Sequence, residues 1–335
     1  MIKEIVLLTI LLFIYTIIFN YKDKLSKIFN LIDKPDIKRK IHLKPTPLIG
    51  GFIILIIIKF NFNYFKNYLP KEELLVLFSL VFLYFLTSII DDIKDLNSYF
   101  RLIFLFFGTY FILGYSDIFV LKDLNFKFQN LNISLNHMNI FVSSLCILLL
   151  VNALNLADGI NGLSTLLIIF WTIYLKIFLF NDNSYVGFSS LIILMITFYH
   201  IYKGKYFMGD YGVTVAAMII GIMSIASYNL NLEKTNPIFV EEIFLLFFIP
   251  GLDMFRLFVE RIINKKDPFS ADKNHLHHFL IKKFELRKSL LIYFVISLFP
   301  IFLYKVFNLN SLILIILFTI IFFLIFYTKL KNIFY

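Results

Sequence analysis

Residues 140–180 read IFVSSLCILLLVNALNLADGINGLSTLLIIFWTIYLKIFLF: an apolar run from Ile140 to Val151, a polar knot from Asn152 to Ser164, and a second apolar run from Leu163 to Phe180. The knot gathers Asn152, Asn155, Asp158 and Asn161 with Gly159 and Gly162. Two runs of this kind predict two helices that meet at a polar segment. Polar groups at membrane depth are tolerated where they face a cavity or a partner, so the knot reads as part of a functional site.

Working outward, the rest of the chain is equally apolar. Hydrophobic residues make up 60% of the 335 residues and charged residues 16%, with a mean hydropathy of +0.84, a balance that no soluble core requires. Further apolar runs lie at Ile5–Phe19, Leu48–Ile58, Leu74–Ile90, Leu102–Gly114, Val186–Ile201, Val213–Tyr228, Ile238–Ile249, Leu290–Tyr304 and Leu312–Tyr327. The first lacks a small-residue cleavage site after it and reads as a retained span. The expectation is an all-α polytopic membrane protein of about eleven transmembrane helices, one domain over residues 1–335.

Orientation follows from Lys and Arg in alternate loops. One set, from Lys22–Lys44 through Lys94 and Arg101, Lys203 and Lys205, Arg256–Lys288 and the tail residues Lys329 and Lys331, holds 23 of them; the other set holds eight. The first set is expected to face the cytoplasm, with the N-terminus outside and the C-terminus inside. The net charge of +10 thus has a membrane explanation before any nucleic-acid one, and it suits anionic headgroups and anionic substrates alike. The single Cys146 lies within a predicted span, which excludes a disulfide framework and a cysteine metal site.

The polar clusters all fall on the cytoplasmic side of this topology, in loops 20–47, 91–101, 152–162, 203–212 and 250–289, and are expected to form one composite site. The segment Ser116–Asn139, on the other face, alternates polar and apolar residues and reads as a small external β-hairpin without a catalytic role.

Asp91-Asp92-Ile-Lys94-Asp95 places three carboxylates at the end of a span. If the helix runs one turn further, Asp91 and Asp95 share a face, an arrangement suited to a divalent cation or a proton-accepting role; a solvated acidic turn countered by Lys94 is the plainer alternative. In the knot, a helix opening near Leu163 would favour an anion such as a phosphate, although a helix-capping loop also uses such residues. Phe207-Met-Gly209-Asp210-Tyr-Gly212 sets a carboxylate between two glycines. Asp210 is either a hard-cation ligand, with Mg²⁺ preferred, or an N-cap in a tight turn. His275-Leu-His277-His278 follows Arg256 and Arg261 in the longest cytoplasmic loop. Without cysteines, and beside carboxylates and amides, it reads first as phosphate or sugar binding, with a structural or solvated role and metal ligation as the alternatives.

In this order, with Arg39-Lys40-Ile-His42 to Gly51 ahead of them and Pro268-Phe-Ser-Ala-Asp272-Lys-Asn ahead of the histidines, the motifs resemble the polyprenyl-phosphate N-acetylhexosamine-1-phosphate transferases of glycosyltransferase family 4, relatives of the muramoyl-pentapeptide transferases. The histidine loop is similar to the branch that transfers GlcNAc 1-phosphate to undecaprenyl phosphate and starts chains such as lipopolysaccharide O-antigen. The resemblance implies a Mg²⁺-dependent (or Mn²⁺-dependent) enzyme of the bacterial inner membrane. That enzyme would move an N-acetylated amino-sugar 1-phosphate from a UDP-sugar to polyprenyl phosphate, release UMP, and so initiate cell-envelope glycan synthesis. Its partners would be the UDP-N-acetylamino sugar, polyprenyl phosphate, the bilayer and a second copy in a homodimer, with no nucleic acid. Carried onto this chain, Asp210 and Asp158 hold the metal, while Asp91, Asp92 and Asp158 are catalytic. Asn152, Asn155, Phe207, Arg261, His275, His277, His278, Lys40 and His42 bind substrates. The chain departs from the family pattern at Tyr211, Val213, Asn161 and Leu105. Other classes compatible with inward polar motifs are a polytopic transporter and an Asp-rich intramembrane prenyltransferase, which leaves the histidine loop and Arg261 without a task.

Overall fold

The computed structural model describes residues 2–35, 44–66, 69–179, 186–231, 237–270 and 273–331. Its helices are α1 (Ile2–Asn20), α2 (Lys22–Ile28), α3 (Gly50–Phe65), α4 (Lys71–Lys94), α5 (Ser98–Leu113), α6 (Asn139–Ala157) and α7 (Leu163–Tyr174). They continue as α8 (Val186–Tyr202), α9 (Asp210–Asn231), α10 (Val240–Ile263), α11 (Leu276–Lys283), α12 (Leu286–Phe307) and α13 (Ser311–Lys331). Strands are confined to two antiparallel pairs, β1 (Ile32–Asp33) with β2 (Thr46–Pro47), and β3 (Asp123–Phe126) with β4 (Leu131–Ser134). The second pair is the expected hairpin.

Among the described residues, each apolar run of the sequence falls largely on one of these helices, and the run from Leu163 continues past α7 into a π-helical turn, Leu175–Leu179. Four helices, α4, α6, α9 and α12, are long and apolar enough to cross a membrane, and the α1–α2 pair, bent by 68°, makes a fifth. The protein is therefore a mostly helical membrane protein. Two boundaries correct the sequence reading. Helix α6 continues through Ala157, so Asn152 and Asn155 lie on a helix and not in the loop 152–162. Helix α10 continues to Ile263, so Asp253, Arg256 and Arg261 are helical too, although the loop was expected to begin at residue 250. In both cases polar side chains inside a helical register look like a loop when only hydropathy is read.

Helix α9 is the axis of the fold, buried along nearly its whole length and packed chiefly on α4, α6 and α3. Its small residues, among them Gly212, Ala216, Ala217, Gly221 and Ser224, let neighbouring backbones come close, the usual means of association where lipid offers no hydrophobic drive. The tightest approach is to α3: a Cβ on Gly212 would lie 2.7 Å from Gly51 Cα, and a Cβ on Gly51 would lie 2.1 Å from the Tyr211 ring. Ser88 and Thr214 join α4 to α9 through a buried 2.7 Å hydrogen bond. The N-terminal signature is zipped to the same place. Phe207 donates its N–H to Pro47, while Gly50 and Gly51 donate to the carbonyls of Phe207 and Met208 at 3.0 and 2.9 Å.

At the opposite helix ends, buried glutamates hold the connections. Glu73, in the first turn of α4, accepts from the Ser116 hydroxyl and from the N–H groups of Asp117 and Ile118 at 2.6–3.0 Å. Glu241 of α10 accepts from the N–H groups of Lys127 and Phe128 in the hairpin turn.

Candidate active site

At the ends of α4 and α6 and the start of α9 lies a cavity of about 610 Å³. Six carboxylates border it, from Asp33, Asp91, Asp92, Asp95, Asp158 and Asp210, together with Asn161, Phe207, His278 and the backbone of Gly159 and Gly209. Four of the five segments expected to converge, those around 91–95, 152–162, 207–210 and 275–278, thus supply its wall. The fifth contributes Asp33 and Leu48, whereas Lys40 and His42 lie outside the described residues.

Local chemistry sets each group. Helix α4 stops at Lys94, and Asp95 takes a left-handed conformation (φ 49°), so the helical register expected for Asp91 and Asp95 ends one residue early. The Leu96 N–H then donates to Asp91 Oδ1 at 2.8 Å, and Asn97 caps α5 by accepting from Tyr99 at 2.9 Å. This turn folds α5 back so that Arg101, in its first turns, forms an ion pair with Asp91 and lies 3.2 Å from Asp210 Oδ2. Asp92 accepts from the N–H groups of Asp210 and Tyr211, both at 3.1 Å, which satisfies two open donors at the α9 N-terminus. Asn155 Nδ2 lies 3.4 Å from Asp210 Oδ2.

Asp158 caps the C-terminal end of α6 and accepts from the Ser164 hydroxyl across the knot. Burial raises its pKa to about 7; the Asp210 and Asp33 charges push the same way, and the Ser164 hydrogen bond opposes them. It is therefore a carboxyl poised to take or give a proton near neutrality.

The three histidines stay together, with ring centroids 4.3–6.4 Å apart, but take different partners. His278 borders the cavity. His275 pairs with Asp253 Oδ2 at 3.0 Å, and Arg256 binds the other oxygen at 3.0 Å and the Asn274 carbonyl at 2.6 Å, so that buried network fixes the loop. His277 is fully buried, with neither ring nitrogen hydrogen-bonded. Burial, then its neighbours His278 and His275, hold it neutral, its pKa well below the ordinary value. The Nε2 corner of its ring points at the knot: a Cβ on Gly159 would sit 2.1 Å from His277 Nε2. Gly159 is a contact surface between two motifs, not only a flexible turn.

Other expected residues stand further back. Asn152 turns its amide to the Leu148 carbonyl of its own helix at 2.9 Å and does not border the cavity. Arg261 is buried and donates to the Pro268 carbonyl at 2.7 Å, tying down the loop after α10. The departures have places as well. Tyr211 is fully buried, donates to the Leu48 carbonyl at 3.0 Å and stacks edge-on with Phe52 and Phe85, and Leu105 is core. Arg101 and Asp33 escaped the motif reading. The spacing that would reveal Arg101 is a cation ten residues beyond Asp91, across a turn short enough to fold it back.

The sequence pattern of glycosyl transferase family 4 matches residues 74–228, the stretch from α4 through α9 that builds most of this wall. Over this stretch the chain is similar to glycosyl transferase family 4. It is similar to the undecaprenyl-phosphate alpha-N-acetylglucosaminyl 1-phosphate transferase of Escherichia coli K12, 25% identical over 282 residues that cover 81% of this chain and 75% of that protein. The transferase of the same name from Thermotoga maritima is 26% identical over 278 residues, 82% of this chain and 80% of its own length. The probable undecaprenyl-phosphate N-acetylglucosaminyl 1-phosphate transferase of Bacillus subtilis is 26% identical over 259 residues, 75% of this chain and 69% of its own length.

Among the described residues, no three His, Cys, Asp or Glu side chains converge as a ready metal cluster. Mg²⁺ does not need one, because it takes one or two carboxylates and fills its shell with water and phosphate oxygens. The all-oxygen donor set of Asp158 and Asp210, half-buried on a cavity wall, fits that habit. Six carboxylates would also repel a phosphorylated ligand unless cations accompany it.

Proposed function

We propose that this protein is a family 4 transferase that moves an N-acetylamino-sugar 1-phosphate from a UDP-sugar to undecaprenyl or a similar polyprenyl phosphate, releasing UMP. The observation that carries the reading is the cavity into which the acidic turn, the knot, the Phe207–Gly212 turn and His278 converge, in a chain whose relatives bear undecaprenyl-phosphate transferase names.

In this reading an oxygen of the acceptor phosphate attacks the β-phosphorus of the UDP-sugar. The bond from that phosphorus to the bridging oxygen breaks, UMP departs with the oxygen, and a lipid-linked diphosphosugar remains. Asp158 and Asp210 hold Mg²⁺, which when bound neutralises charge on the donor diphosphate. Asp91 orients the acceptor phosphate or takes its proton, and Asp92 fixes Asp210 by capping α9. His278 grips donor phosphate and Phe207 offers its ring to the uracil. Arg261, His275 and His277 act from behind by holding the histidine loop in place, and Asn155 steadies Asp210. Lys40 and His42 are assigned to substrate phosphates on sequence grounds alone.

The cavity faces the cytoplasm of a bacterial inner membrane, where nucleotide sugars are made. The eleven apolar runs are spans of a single integral domain, the N-terminus lies outside, and the β3–β4 hairpin is external. The charge asymmetry of the loops supports this placement. Purified protein in detergent, given UDP-amino sugars with polyprenyl phosphate and Mg²⁺, should release UMP. Folded protein that releases none with any such donor would overturn the reading.

A further inference from the structure

We infer that Arg101 competes with the divalent cation for Asp210, and so sets how tightly this enzyme binds its metal. The inference rests on the proposed assignment of Asp210 to the cation. Nothing in the motif pattern points to Arg101; its position does. The guanidinium sits between two elements that are distant in sequence, ion-paired to Asp91 at the end of α4 and 3.2 Å from Asp210 Oδ2 at the start of α9. It is itself mostly buried, 18% exposed at the side chain, while Asp210 is 37% exposed and borders the cavity. The nearby carboxylate of Asp92 has both oxygens committed to backbone N–H groups. Asp210 Oδ2 meets Asn155 and Arg101 together.

Two carboxylates this close require a positive charge between them or nearby. Arg101 supplies it with a planar fork that can reach both acids at once. A cation ligated by Asp210 meets that guanidinium as a like charge and takes over an oxygen it holds. Arg101 therefore weakens cation binding to the protein alone, and cation arrival loosens the α5 contact to α9 while the pair with Asp91 remains. Arg101 is thus a positioning residue that reports the state of Asp210 to α5.

The test is titration of Mn²⁺, followed by the electron paramagnetic signal of the free ion, into purified protein without nucleotide. Arg101→Gln should bind Mn²⁺ roughly tenfold more tightly than the wild type, because one like charge is removed at short range. Arg101→Lys keeps the charge but not the fork and should fall between the two. Asp210→Asn should lose the site. Equal or weaker binding by Arg101→Gln, eluting as the folded species does, overturns the competition and leaves the transferase reading standing. Should Arg101→Gln misfold, Arg101→Lys decides in the same direction. A wild type that binds no Mn²⁺ while still releasing UMP removes the cation reading of Asp210 and the competition with it.

Discussion

The two ends of α4 carry buried carboxylates in opposite circumstances. At one end Glu73 receives three hydrogen bonds from a chain connection, and Glu242 of α10 pairs with Lys305 and the Tyr174 hydroxyl, each within 3 Å. These acids are enclosed by their partners, and neither lines the cavity of the candidate site. At the other end, about 27 Å away along the helix, Asp91 and Asp92 join Asp158 and Asp210 around an open cavity. Burial of an acid in a membrane protein therefore does not identify a site. A buried acid with all its partners in the protein is an anchor, and one that borders space for a ligand is a candidate for chemistry.

The widest separation should come from Asp210→Asn, which removes the proposed cation ligand. UMP release should fall by about a hundredfold or more, whereas Glu73→Gln, at the anchored end, should leave kcat unchanged; the reverse pattern would break the distinction between the ends. Next comes Gly159→Ala, whose methyl meets the buried His277 ring. A shift of the histidine loop against the knot should lower kcat/KM by about tenfold to a hundredfold, and Gly159→Ala combined with His277→Ala should recover part of that loss.

Asp158 gives the comparison a pH axis. Its raised pKa means that the carboxyl holds a proton below about 7 and is ionised above it, so kcat/KM at fixed Mg²⁺ should decline on the order of tenfold per unit below that limb. Since the Asp33 charge contributes to the shift, Asp33→Asn should move the limb to lower pH, and a pH profile of the variant checks it. Glu73→Gln should then show its own cost as stability. Leaving donors from residues 116–118 poorly matched should destabilise the protein by about 1–3 kcal/mol, read as a lower thermal midpoint in detergent. The smallest effect is expected from Asn152→Ala. Among the described residues its amide donates to a carbonyl of its own helix, so the activity change should stay within about 0.5 kcal/mol of transition-state stabilisation, measured as kcat/KM.

What the sequence disclosed follows from range of interaction. Asp158 and Asp210 stand out because each is a carboxylate beside glycine at the edge of an apolar run, although a capping role is the plainer alternative for both. The helices were legible from the length of their apolar runs, yet α6 and α10 extend further because Asn152, Asn155 and Arg256 find partners within their own helix or its neighbours, which hydropathy does not register. Asn152 looked like a ligand for the same reason. Arg101 read as one more cytoplasmic cation, since its partners depend on a left-handed residue at Asp95 and on the crossing of α4 with α9. The division among His275, His277 and His278 was equally hidden: three adjacent imidazoles look alike in sequence, and only packing shows that one binds Asp253, one fills space against Gly159 and one reaches the cavity.

In the proposed function the carboxylate-lined end performs phosphosugar transfer and not simple glycosyl transfer. A UDP-amino sugar carrying radiophosphorus at the β position, incubated with the purified protein, Mg²⁺ and polyprenyl phosphate, tests this directly. The label should pass into the lipid phase as a diphosphosugar while the released UMP stays unlabelled. Label retained in water as UDP, or an absence of labelled lipid from folded protein across the donor panel, would contradict it.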